Sequence, residues 1–282
     1  MYLAITTDVV QTAADIHRTS NVATAALGRV VTAAGLMGLM LQDDRSTLTL
    51  QIKGDGPAAE ILASADATGR VRGYISNPDI DLELKGPGKL DVGKAVGNGT
   101  LTVIKDLKMK EPYIGRIDLT SGEIAEDLTQ YFLKSEQLPT AVALGVRIGT
   151  DGRVEHAGGM ILQLLPGASD ACVDRLERRI ATLGSLTDHI ALAPTPKQLA
   201  ERLLVSMQPI HKPRFMEERD IEWYCGCNEE RMEQALMSIG AKDLKQLIDE
   251  DGQAEIICHF CLEEYLFERE KLESLLAEVE RG

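Results

Sequence analysis

Four sulfurs in the last quarter of the chain carry the most specific chemistry. Cys225 and Cys227 form one close pair, Cys258 and Cys261 a second, with thirty residues between them. Soft thiolates select zinc, and a tetrahedral ion needs four ligands that two short chelating pairs can bring together. The spacing therefore predicts a four-sulfur Zn2+ site made of Cys225, Cys227, Cys258 and Cys261. Two plainer readings compete. Buried structural thiols would require two tight pairs by chance. Disulfides of a secreted protein would call for a basic-then-apolar leader, which residues 1–8 do not resemble. His259 lies between two ligands and reads as a bystander, and Cys172, alone near a helix start, as an incidental thiol.

The same sulfurs suggest a switch. A domain of about sixty residues buries little surface and is marginal alone. Structural zinc contributes roughly 10–16 kcal/mol in small metal-dependent folds, so its loss predicts unfolding rather than loosening. An oxidant converts thiolates to sulfenic acid or disulfide, neither of which holds zinc well. The spacing favours local bridges. Cys258 and Cys261 are in CxxC reach, and a bridge across the single residue between Cys225 and Cys227 would be strained and easily reduced again.

Charge sets this segment apart. The 282 residues carry 30 Lys and Arg against 44 Asp and Glu, a net −14. Residues 217–282 hold 19 acids and 7 bases, so twelve of those fourteen charges lie there. Such a balance disfavours nucleic acid and anionic membranes as partners. Four thiolates around one zinc ion would add a further −2, and self-repulsion would then oppose re-collapse once the metal is gone. A solvated helix face is the plainer use of the same acids.

The elements that must position the site follow from periodicity. Ser20 or Asn21 can cap a helix over residues 22–41, with Gly28, Gly35 and Gly38 allowing close approach. Arg29 near its middle argues against a membrane span. Strands are expected over 47–52, 70–75, 100–104, 114–119, 142–148 and 158–165, with a further apolar run at 61–65 and a helix over 123–134. Pro166-Gly167 closes the series. Val173, Leu176, Ile180 and Leu183 then fall three or four apart, and a second amphipathic helix fits residues 198–207. Pro194, Pro196, Pro209 and Pro213 cluster in the span 184–220, which marks it as linker rather than core. The fold class expected is α+β. It comprises a sheet-rich N-terminal body with packed helices (1–170), a helical linker (171–220) and a small C-terminal zinc-binding domain (221–282).

With these cysteines stand Ala25-Ala26-Leu27-Gly28-Arg29, Tyr74-Ile75-Ser76-Asn77-Pro78, Gly88-Lys89-Leu90-Asp91-Val92, residues 121–127, Ala157-Gly158-Gly159 and Gln163-Leu164-Leu165-Pro166-Gly167. Together they resemble the redox-regulated chaperones of the thirty-three-kilodalton heat-shock family, over essentially the whole chain. The resemblance implies an ATP-independent holdase that is inactive when reduced and zinc-loaded. On oxidation Cys225 would pair with Cys227 and Cys258 with Cys261, zinc would leave, and the zinc domain and linker would unfold. Exposed apolar surface would then hold unfolding clients, typically in a homodimer. Chains of that family usually carry an extra strand before the position of Met1, and Cys172 lies outside the family motif.

For the client surface, the apolar stripes of the linker helices are the candidates, with Leu176, Ile180, Leu199, Leu203 and Leu204 at their centre. Packing of these stripes on the body alone is the alternative. Enzymatic readings fare worse. Cys258-His259-Phe260-Cys261 lacks the βαβ context of a thiol–disulfide oxidoreductase, and four cysteine ligands leave no open position for a zinc hydrolase. Residues 53–57 and 86–89 lack the spacing of a phosphate loop. A zinc-stabilised protein-interaction module is the remaining alternative. A cytoplasmic protein, where thiols stay reduced, is expected.

Overall fold

The computed structural model describes residues 1–86, 88–165, 167–205 and 214–281. Pro87, Pro166, Pro209, Pro213 and the end of the helix expected over 198–207 lie outside the described residues. The chain divides into two units, Met1–Tyr224 and Cys225–Gly282.

In the first unit, strand β1 (Tyr2–Ile5) leads into helices α1 (Thr7–His17) and α2 (Asn21–Gly38). Strands β2 (Thr47–Gly54), β3 (Glu60–Asp66) and β4 (Arg70–Ile75), the short helix α3 (Val92–Val96), and strands β5 (Gly99–Asp106) and β6 (Tyr113–Asp118) follow. Next come helix α4 (Ala125–Lys134), strands β7 (Thr140–Ile148) and β8 (Val154–Gln163), and helices α5 (Asp170–Ala181), α6 (Leu186–Leu192) and α7 (Pro196–Leu203). Strand β9 (Glu222–Trp223) ends the unit.

Alternation builds the larger sheet. Leu48, Leu50 and Ile52 of β2 are buried while their neighbours are not, and the order is β6-β5-β2-β3-β4-β9. All its pairs are antiparallel except β4 with β9. A three-stranded sheet, β1-β8-β7, forms the other layer, with β1 in register from Tyr2↔Ile161 to Ile5↔Gly158. Helix α2 packs against strands of both sheets, and all of its residues except Asn21 and Arg29 are buried. An all-round apolar helix has to be enclosed in this way. Small residues permit it: a Cβ on Gly38 would fall 2.7 Å from the Asp66 carbonyl oxygen, and one on Gly28 2.5 Å from Val10 Cγ1. Among the described residues no helix is long and apolar enough to cross a membrane.

This is the α+β class expected, with differences in detail. Ser20 precedes α2 but its hydroxyl does not cap the helix; it donates to the Ile80 carbonyl at 2.9 Å. Helix α4 starts two residues later than the periodicity suggests. Ile124 sits at φ +63°, and the buried Asp127 carboxylate accepts N–H bonds from Thr120, Ser121 and Ile124. Those three bonds fix the turn before the helix. Within the proline-rich span, residues 186–203 are more buried than their composition suggests. Leu186, Ile190, Ala193, Leu199 and Leu203 cluster with Met160, apart from the main core.

Arg29 breaks the apolar surface of α2 for a reason. Its Nη1 donates to Glu123 Oε2 at 2.8 Å, both side chains are about 15% exposed, and Lys85 Nζ donates to Glu123 Oε1 at 2.9 Å. Burial alone would raise the Glu123 carboxyl, but the bonds from Lys85 and Arg29 outweigh it and hold the group below the usual carboxylate range. A carboxyl depressed in the folded state stabilises above its unfolded value and loses that contribution as pH falls through the folded one. Glu123→Gln is therefore expected to cost roughly 3–5 kcal/mol in urea unfolding at neutral pH, because a buried arginine loses its counter-charge. The gap to wild type should narrow below about pH 4.5. An equal gap at pH 7 and pH 3.5 would show that the ion triad is not the source.

The second unit is small. Helix α8 (Glu229–Ser238) is capped by Asn228, whose side chain accepts from Arg231 N, and helix α9 (Ala241–Glu250) follows. Strands β10 (Gln253–Ile257) and β11 (Glu264–Glu268) pair antiparallel, and helix α10 (Arg269–Val279) closes it. Its core is Leu236, Leu244, Ile248, Ala254, Phe267, Leu272 and Leu275.

Candidate metal centre

Two backbone turns bring the four cysteines together. Cys225 and Cys227 lie just before α8, where the Asn228 cap and the Arg231 Nη1 bond to the Gly226 carbonyl (2.7 Å) fix the loop. Cys258 and Cys261 occupy the turn between β10 and β11. There Leu262 N donates to the Cys258 carbonyl at 2.8 Å and Cys258 N to the Glu263 carbonyl at 2.9 Å. Leu262 takes a left-handed φ of +59° to close this turn.

The four Sγ atoms lie within 4.8 Å of one another. Cys225 and Cys258 are 3.7 Å apart and Cys227 and Cys261 3.2 Å. A tetrahedral ion with metal–sulfur bonds of about 2.3 Å has sulfur–sulfur edges of about 3.8 Å, so four thiolates in this arrangement could hold a metal ion. The electrostatics agree. Burial pushes the Cys261 thiol up, and the hydrogen-bonded sulfurs of Cys227, Cys225 and Cys258 push it further, against the lowering effect of the Glu263 backbone N–H. Four sulfurs this close resist becoming thiolates without a cation among them.

The Tyr265 hydroxyl donates to Cys227 Sγ at 3.2 Å. That bond, with burial second, raises the phenol above its ordinary range. Sequence reasoning passed over Tyr265. The alternation in β11, where Tyr265 and Phe267 face the core and Leu266 faces solvent, is the signal that could have found it. His259 is exposed and stands outside the four-cysteine group, and Cys172 lies in the first turn of α5, half-buried.

The proposed client residues are held in the first unit. Leu199 and Leu203 are buried against Leu186 and Ile190, whereas Leu176, Ile180 and Leu204 are half-buried. Leu186 and Ile190 of α6 are further members of this apolar set that periodicity did not single out, because a seven-residue helix offers too few turns to show a stripe.

Known proteins match the whole arrangement. A family model described as Hsp33 protein matches residues 1–268. The 33 kDa chaperonin of Alkaliphilus metalliredigens is 43% identical over 279 residues, which span 99% of this chain and 94% of that protein. That of Bacillus subtilis is 42% identical over 281 residues, 99% of this chain and 94% of that protein. The crystal structure of a 33 kDa chaperonin (heat shock protein 33 homolog) from Thermotoga maritima superposes with a TM-score of 0.86 at 35% identity, covering 98% of this chain and 92% of that one. A body of two sheets around one buried helix, a C-terminal cluster of four sulfurs and these near-full-length matches lead to one conclusion: the chain belongs to the Hsp33 family of chaperones.

Proposed function

We propose that the chain is a redox-regulated, ATP-independent holdase, silent when its four cysteines are reduced and hold Zn2+. The observation that carries this reading is the four-sulfur cluster in a unit too small to be secure on its own core. Bound Zn2+ would fix the four thiolates in one geometry and offset half of their charge.

Oxidation acts on the chain's own sulfurs. With a peroxide, one thiolate attacks a peroxide oxygen, the O–O bond breaks and hydroxide leaves, so the sulfur becomes a sulfenic acid. A second thiolate displaces the other hydroxide and forms the S–S bond. Two thiolates thus lose two electrons and the peroxide gains them. Cys225 with Cys227 and Cys258 with Cys261 are the pairings favoured by chain proximity. Disulfide sulfurs no longer carry the charge that holds a cation, and residues 221–282 then unfold.

The linker, residues 171–220, follows. Its C-terminal end is held to the body by β9, only two residues long, and β9 is covalently continuous with Cys225. Release bares Leu176, Ile180, Leu199, Leu203 and Leu204, which take exposed apolar segments of unfolding clients without reading their sequence. A homodimer of the oxidised form and a cytoplasmic setting belong to the same reading, while the acid excess speaks against nucleic acid.

The test measures zinc released and disulfides formed in one sample under peroxide, with light scattering of a heated client alongside. Two disulfides per zinc and suppressed scattering are expected. The Leu199→Ser, Leu203→Ser, Leu204→Ser triple variant should keep that stoichiometry yet lose most of the suppression. Zinc retained at full occupancy under oxidant would reduce the cluster to a structural site, and unchanged suppression by the variant would remove α7 from the client surface.

A further inference from the structure

We propose that Tyr265 is a positioning residue for the redox switch: its hydroxyl holds the Cys227 sulfur as a metal ligand and restrains that sulfur from attacking an oxidant. The inference rests on the switch proposed above and names a group that sets its threshold.

Geometry carries it. The Tyr265 hydroxyl lies 3.2 Å from Cys227 Sγ, a normal distance for an O–H donor to sulfur. The ring is not free to wander. Tyr265 is in β11 opposite Ile256 of β10, and both pack on the core of the second unit. Arginine and backbone bonds fix the loop that carries Cys227 from the other side. Donor and acceptor are therefore held by separate elements, β11 and the loop before α8, and the bond ties one chelating pair to the hairpin that carries the other.

A hydrogen bond to a ligand sulfur has two effects. It orients the ligand, and outer-shell partners of this kind typically contribute ten- to a hundredfold to metal affinity. It also occupies a sulfur lone pair, which leaves less electron density for the attack that opens the peroxide O–O bond. Both effects act in one direction, toward a site that keeps its thiolates until the oxidant is strong or abundant. The covalent step itself is the one written above, with Cys227 as the attacking sulfur, hydroxide leaving, and a second thiolate completing the disulfide.

Tyr265→Phe removes one oxygen and keeps the ring, so it tests the bond with little disturbance of packing. In the zinc-loaded full chain, about tenfold weaker zinc binding by chelator competition is expected. Zinc release by hydrogen peroxide should quicken by a similar factor. In the Co2+-substituted protein the sulfur-to-metal charge-transfer band should move to lower energy, since the donor lone pair is no longer stabilised. Ile256→Val trims the packing opposite Tyr265 without touching the bond and should leave that band in place. An unmoved band with unchanged affinity and release in Tyr265→Phe overturns the proposal. So does a band moved equally by Ile256→Val, which would make the effect one of packing. Should wild type bind the metal but release none under peroxide, the switch reading fails, while band and affinity still decide whether Tyr265 holds Cys227.

Discussion

Serine at Cys225, Cys227, Cys258 and Cys261 together should unfold residues 225–281 outright while the body remains folded. The same result is expected when a strong chelator strips the zinc-loaded chain. The core of that unit is seven buried side chains, the largest of them Phe267. A core of this size rarely supplies more than about 3–5 kcal/mol, whereas structural zinc contributes about 10–16 kcal/mol. Without the larger contribution the small core alone opposes the entropy of ordering about sixty residues, and the balance tips to the unfolded side. Charge adds to it, because residues 225–282 carry 15 acids against 6 bases and their repulsion is relieved by expansion. Amide hydrogen exchange checks the result directly. Protection should vanish across α8, α9, β10, β11 and α10, and persist in α2 and β2 to β5. A metal-free chain whose Phe267 and Leu272 amides stay protected would mean that the acidic unit stands on its own core, and the clamp would have nothing to release.

How much of this could be read beforehand depended on how local the signal was. The cluster of four cysteines is legible because chelation demands close pairs, and a pair is visible in any sequence. Helix α2 is legible because an unbroken run of small and apolar residues around Arg29 has few other uses, although only the structure pairs Arg29 with Glu123, ninety-four positions away. Strands β2, β4, β5 and β7 follow from alternation or β-branched runs. The short elements escaped. β1, α3, α6 and β9 offer between two and seven residues each, too few for a period to stand out. The thirty residues between the cysteine pairs hold two helices and a strand, separated by Gly240 and Gly252, both at positive φ. Pro194 and Pro196 mark the break between α6 and α7 but are silent about burial. Leu199 and Leu203 are sequestered through Leu186, Ile190 and Met160, a contact between segments that no local pattern encodes.

That contact leads to the second large effect: Leu186→Ala with Ile190→Ala should make the reduced, zinc-loaded chain an active holdase without any oxidation. The two side chains are 4% and 2% exposed and lie in the cluster that buries Leu199 and Leu203. Each truncation costs about 2–5 kcal/mol where the cavity cannot collapse. The cluster is separate from the main core, so the loss falls on local opening before global unfolding. Polar ties spread it. Arg202 Nε donates to His189 Nδ1 at 3.1 Å, joining α7 to α6, and Arg179 Nε donates to the Leu203 carbonyl at 2.9 Å, joining α5 to α7. When α6 leaves the sheet, α7 loses one of its two supports and keeps its packing on β1, and α5 is weakened with it, while Leu176, Ile180, Leu199, Leu203 and Leu204 stay intact. Hydrogen exchange over residues 170–205 should quicken by at least tenfold, with the cysteines still reduced and zinc still bound. Light scattering of a heated client should then fall toward the level given by oxidised wild type. A variant that opens these helices and yet leaves the client to aggregate would separate release from capture, and would move the client surface away from α5 and α7 altogether. If instead the helices stay protected, the energy that holds them lies outside the Leu186–Ile190 contact, and chemistry at the cysteines would have more to overcome than this satellite core.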